Sequence, residues 1–137
     1  MVVSQKYIND LSYKIIGCAI EVHRQLGPGL LESIYETCFI EKMRTAGLDV
    51  KSQVPIPIHY KGKNLNARLI IDLLVNDLII IEEKAVEMLI PLHQAQLLSY
   101  LKLANKPKGL LINFNCENIS EQVVSIVTSE FAKFPKV

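Results

Sequence analysis

The residues of this chain best suited to chemistry are four charged ones set in its most apolar region. Asp72, Glu82, Glu83 and Lys84 interrupt a stretch, Leu69 to Ala85, otherwise dominated by Leu, Ile and Val. A carboxylate taken out of water without a partner costs several kcal/mol, so it persists only when paired, protonated or bound to a cation. Asp72 precedes the turn at Asn76-Asp77 and Glu82 follows it, so two strands folding back there carry these acids side by side. Neighbouring carboxylates repel unless a cation lies between them. Oxygen ligands of this kind, without thiolates or a histidine cluster, suit Mg²⁺ or Mn²⁺.

Register decides which acids meet. Strand alternation points Glu82 and Lys84 to one face and Glu83 to the other. A two-residue turn at Asn76-Asp77 pairs Asp72 with Ile81 and leaves Asp72 on the face of Glu83. A three-residue turn, Asn76 to Leu78, or a bulge near Asp72, sets Asp72 opposite Glu82 with Lys84 beside them. The second arrangement is expected, because it gathers two acids and the lysine; a one-residue slip would ruin it. A structural ion pair of Glu82 or Glu83 with Lys84 near a strand end is the alternative.

The elements that hold these residues are marked by periodicity. From Tyr7 to Leu26, Ile8, Leu11, Ile15, Cys18, Val22 and Leu26 recur at helical steps, and Gly27-Pro28-Gly29 ends the helix with Gly27 as C-cap. A second helix is expected from Leu31 to Ala46, ending at Gly47. Val50 to Tyr60 alternates as a strand, and Pro55 and Pro57 assign it to a sheet edge. Lys61 to Asn64 reads as a hairpin turn. Strands follow at Leu65 to Val75 and Leu78 to Ala85, apolar on both faces and therefore central. Pro91 opens a helix covering His93 to Ala104. Gly109 to Phe114 reads as a short strand, and Ser120 to Phe131 as a closing helix with Ser120 as N-cap. The order α-α-β-β-β-α-β-α predicts a mixed sheet with helices packed on it, an α/β sandwich in one domain spanning residues 1–137.

Composition narrows the function classes. Of 137 residues, 50% are hydrophobic and 21% charged, which excludes a mainly disordered chain. Cys18, Cys38 and Cys116 lack CxxC spacing, which argues against a disulfide framework or a cysteine zinc site and suits a reducing, cytoplasmic setting. No signal peptide is evident at the N-terminus, and no apolar stretch reaches the ~20 residues of a membrane span. The net charge is +1, so the strong positive excess of a nonspecific nucleic-acid binder is missing. Residues 1–68 hold 9 basic and 6 acidic side chains, and residues 69–137 hold 6 and 8.

Gly29-Leu30-Leu31-Glu32-Ser33-Ile34-Tyr35 reads GxxExxY, and it is followed by Asp72, by Glu82-x-Lys84 and by Gln96-x-x-x-Tyr100. This ordered set resembles the GxxExxY family of the PD-(D/E)XK nuclease superfamily over nearly the whole chain. The resemblance implies an αβββαβ core and Mg²⁺-dependent cleavage of phosphodiester bonds in DNA or RNA. It implies Asp72 and Glu82 as main metal ligands, Glu32 as a helper, Lys84 as the group that orients or activates water, and Gln96 as support. Glu83 departs from the pattern, in which the middle residue of ExK is usually apolar.

The residues read alone agree with these roles. A metal between Asp72 and Glu82 lowers the pKa of bound water, and Lys84 stabilises charge on the phosphoryl oxygens. Glu32 falls in the first turn of its helix, where the dipole favours a negative charge. Tyr35, three residues on, is expected to brace Glu32 or meet the substrate. His93, Gln96 and Tyr100 form one polar stripe, a substrate-facing strip or simply a solvated face. His23 and His59 are expected to be structural. Lys51, Lys61, Lys63 and Arg68 are candidates for phosphate contacts, though basic residues on edge strands commonly guard against aggregation. The competing functions are a catalytically silent binding module on the same fold and a plain homodimerising protein whose acids form ion pairs. A two-fold dimer also suits a small nuclease that cuts both strands.

Overall fold

A computed structural model describes residues 2–137. Helix α1, Gln5–Leu26, begins where the Ser4 side chain accepts from the Tyr7 N–H at 3.0 Å. It ends at Gly27, whose φ of 70° is left-handed and whose N–H reaches back to the His23 carbonyl at 2.8 Å. Helix α2, Glu32–Thr45, follows and packs on α1. Strands β1, Val50–Tyr60, β2, Lys63–Val75, and β3, Ile79–Lys84, form an antiparallel meander. Helix α3, Pro91–Ala104, then crosses to β4, Lys108–Asn113, which lies parallel to β3.

The sheet order is β1-β2-β3-β4-β5, a five-stranded mixed sheet. The proline-bearing strand β1 is at its edge, as Pro55 and Pro57 require. The last element departs from expectation. Residues 120–131 do not form one helix: Ile119–Gln122 is a 3-10 turn, Val123–Val127 is strand β5 antiparallel to β4, and Ser129–Ala132 is the short helix α4. Ser120 is not the N-cap either; Asn118 caps this turn by accepting from the Ser120 N–H. Strand β4 is buried along its whole length, and without β5 its outer edge would carry unpaired backbone groups.

Each face of the sheet has its own core. Leu73, Val75, Ile79, Ile81, Leu110 and Ile112 pack against α1 and α2 with Tyr35, Phe39 and Phe114. Leu74, Ile80 and Leu111 pack on the other face against Leu97 and Leu101 of α3. Strand β2 breaks its own alternation between these cores. Leu69 and Ile71 belong with α3, whereas Leu73 and Val75 belong with α1 and α2. The strand therefore turns half over at Asp72. Gln53, across on β1, takes a left-handed φ of 52° and drops out of the ladder at the same level.

Candidate functional site

Asn76 and Asp77, both left-handed, and Leu78 make a three-residue connection, so Val75 pairs with Ile79 and Leu73 with Ile81. That register brings Asp72 opposite Glu82, as the grouping of charges predicted. The backbone ladder stops one pair short of them, and carboxylates take over. The Asp72 N–H donates to Glu82 Oε1 at 3.4 Å, and the Glu83 N–H donates to Asp72 Oδ2 at 3.3 Å. Beyond this point β3 pairs only with β4, leaving the acids where the two strands part.

Around this gap the charges come from three elements. Glu82 is 7% exposed, and burial, then the negative Asp72, raises its pKa well above the carboxylate range, with Lys84 opposing weakly. Glu32, the first residue of α2, is raised by partial burial and lies within electrostatic reach of Lys84 and Asp72. Tyr100 of α3 is raised by burial and by the charges of Glu82 and Asp72, so it faces the acids from the other side of the sheet. Lys84 is half-buried. It belongs to none of the four ion pairs among the described residues, all of which lie elsewhere.

Glu36 and Asn113 escaped sequence reasoning, and Glu83, named there as a charge in the apolar run, was given no place in the site. Glu83 is fully buried, and neither carboxylate oxygen has a hydrogen-bond partner. Burial, followed by Glu36, Asp72, Glu32 and Glu82, pushes its pKa up to about 9. Glu36 is raised by burial and by Asp72, with the Gln53 side chain opposing. Its spacing of four from Glu32 placed both on one helical face and was the available signal. Asn113 is also fully buried. Its amide donates to the Val86 carbonyl at 3.0 Å and to Gln122, and its oxygen accepts from the Val86 N–H at 3.1 Å. It thereby ties the segment after Lys84 to β4; an amide ending an otherwise apolar strand was the clue.

The remaining expected residues take varied places. Tyr35, expected to brace Glu32 or meet the substrate, is fully buried and stacked on Phe114 with centroids 5.0 Å apart. Its hydroxyl donates to the Gly27 carbonyl at 2.6 Å and accepts from the Leu30 N–H at 3.1 Å, which fixes the loop leading into Glu32. His93 is half-buried, and its Nδ1 accepts from the Ile90 N–H at 3.3 Å, a cap for α3. Gln96 is exposed on the same helix. His23 is buried against the Cys116 carbonyl at 2.6 Å, a structural place, and His59 is exposed on β1.

The donor set suits a hard divalent cation. Among the described residues, no three Asp, Glu, His or Cys side chains converge closely enough to enclose an ion alone. A cation here would take two carboxylates and complete its sphere with water or substrate oxygens, which is the habit of Mg²⁺. The unpartnered Glu83 carboxyl and the raised carboxylates beside it are the groups that such a charge would relieve. A sequence model of the PD-(D/E)XK nuclease superfamily matches residues 9–126. No curated protein and no solved structure matches the chain.

Proposed function

The chain belongs to the PD-(D/E)XK nuclease superfamily, and from that premise we propose that it is a Mg²⁺- or Mn²⁺-dependent phosphodiesterase of the GxxExxY family, cutting DNA or RNA. One observation carries this reading: Asp72 faces Glu82 where the β2–β3 ladder gives out, with Lys84 and Glu32 in electrostatic reach. Asp72 and Glu82 would hold the cation, with Glu32 supporting from the N-terminus of α2. When bound, the cation lowers the pKa of water and neutralises charge on the phosphoryl oxygens. Lys84 lies beside the acids with no carboxylate among the described residues within ion-pair distance, so its ammonium is available to stabilise the developing charge or orient water. Tyr100 and the exposed Gln96 extend the site along α3 toward the substrate. The free cysteines support a reducing, cytoplasmic setting, and a two-fold dimer would suit cleavage of both strands.

Calorimetric titration with Mg²⁺ and Mn²⁺, beside Asp72→Ala, tests the reading. Binding is expected in the native protein and lost in the variant, with cleavage of single-stranded, double-stranded or branched nucleic acids falling at least about a hundredfold. Titration is repeated with an oligonucleotide present, because substrate oxygens complete the sphere. Absence of metal binding even then would sink the proposal. A catalytically silent nucleic-acid- or protein-binding module is the second reading, favoured by the lack of a three-ligand cluster among the described residues. Binding of nucleic acid or of a protein partner without cleavage of any of these substrates is its signature.

A further inference from the structure

We infer that the outer part of the β1–β2 hairpin, beyond the half-turn at Asp72, is an arm that grips the sugar–phosphate backbone beside the cleaved bond. This rests on the nuclease reading and adds where the substrate lies. Residues 54–71 contain Lys61, Lys63 and Arg68 and no acid. That leaves 12 of the 15 basic residues to set against all 14 acids elsewhere, so a nearly neutral chain carries a concentrated positive arm. All three side chains are exposed, and none pairs with a carboxylate among the described residues.

The arm is also shaped. Pro57 pairs with Arg68 but His59 pairs with Asn64, so β2 carries two extra residues between these pairs, with Asn66 left-handed at φ 55°. Such a bulge bends and twists a hairpin. The bend makes a concavity of about 440 Å³, lined by Pro55, Pro57, Asn64, Asn66, Ala67 and Arg68. Arg68 is its only charged lining residue. Leu69 and Ile71 face α3, so alternation turns Arg68 to the other face, the one on which α2 carries Glu32 and Glu36. Asp72 is four residue steps along the strand from Arg68, at most about 13 Å. This is about four nucleotide steps along a duplex axis at ~3.4 Å each.

Both strands of the outer hairpin have a free edge, since β2 pairs with β3 only at Leu73, Leu74 and Val75, and edge protection would be served by charge of either sign. Charges serving solubility are interspersed in sign, and here one sign is absent.

The test uses Asp72→Asn protein, so that polymer is bound and not cut, with Mg²⁺ present. Fluorescence anisotropy on labelled duplex DNA and on single-stranded RNA is recorded over a range of salt. Adding K61Q, K63Q and R68Q together is expected to lower the log–log salt slope by about one unit per removed charge on the duplex, and somewhat less on the single strand. Circular dichroism and calorimetric Mg²⁺ binding of the same triple substitution in the native background should be unchanged. K14Q, K102Q and K136Q, three exposed lysines elsewhere, should leave the slope alone. An arm variant that keeps the slope, or a control that loses as much, overturns the arm and leaves the nuclease reading standing. If the Asp72→Asn protein binds neither polymer, the nuclease reading fails and the arm falls with it.

Discussion

Glu83 sets two carboxylate oxygens where neither a donor nor water reaches them. Its pKa of about 9 lies far above the ordinary 4.5. Between those values the unfolded chain has released a proton that the folded protein retains. This contribution to stability is therefore complete below about pH 4.5 and is lost as pH rises through about 9, by up to about 1.4 kcal/mol per pH unit. Glu82 acts in the same direction. Denaturation of the metal-free protein should thus become easier from about pH 5 to about pH 9, and Glu83→Gln should flatten the trend. An unchanged slope in that variant would refute the account. On the proposed reading, a bound Mg²⁺ would substitute its charge for the protons, and added Mg²⁺ is then expected to restore stability at the alkaline end. The sequence made Asp72, Glu82 and Lys84 legible because charges in an apolar run announce themselves. It did not reveal that Glu83 would lie within electrostatic reach of Glu36, because that proximity depends on how a helix docks on a sheet, and no local pattern encodes docking.

At the scale of elements, the helices and the first four strands follow from periodicity, proline and glycine. The C-terminal stretch did not. Val123, Val124, Ile126 and Val127 fit both a helical and a strand reading over so short a run, and their β-branched character was the neglected arbiter. The deciding force was tertiary, since β4 needed a partner on its open side. Strand β4 also shows how closely α3 approaches the sheet. A Cβ built on Gly109 would lie 2.9 Å from side-chain carbons of both Leu97 and Leu101. Gly109→Ala is therefore expected to cost about 1–3 kcal/mol by displacing the buried side chains of Leu97 and Leu101. Urea denaturation measures it; a neutral result would mean that the two leucines repack freely.

For the whole molecule, burial is distributed unevenly along the sheet. Strands β3 and β4 are almost wholly enclosed, whereas residues 57–68 of the hairpin are exposed except for Ile58, which is half-buried. Local opening costs least where few apolar contacts are broken. Native-state hydrogen exchange should accordingly be slowest in Ile79–Ile81 and Leu110–Ile112 and fastest in the outer hairpin. Comparable protection in both would contradict this gradient. Charge follows the same division, with the positive arm on the least buried part and the acids on its inner boundary.

The reversal of facing at Asp72 has a further consequence. Inside it, the pairing of Leu73 and Val75 with Ile81 and Ile79 is specified by one core; outside it, Leu69 and Ile71 answer to the other. An insertion or deletion near the hairpin tip changes the outer register without passing through that boundary. The hairpin is thus an interchangeable attachment: it can be lengthened, shortened or grafted from a related chain while the carboxylates keep their places.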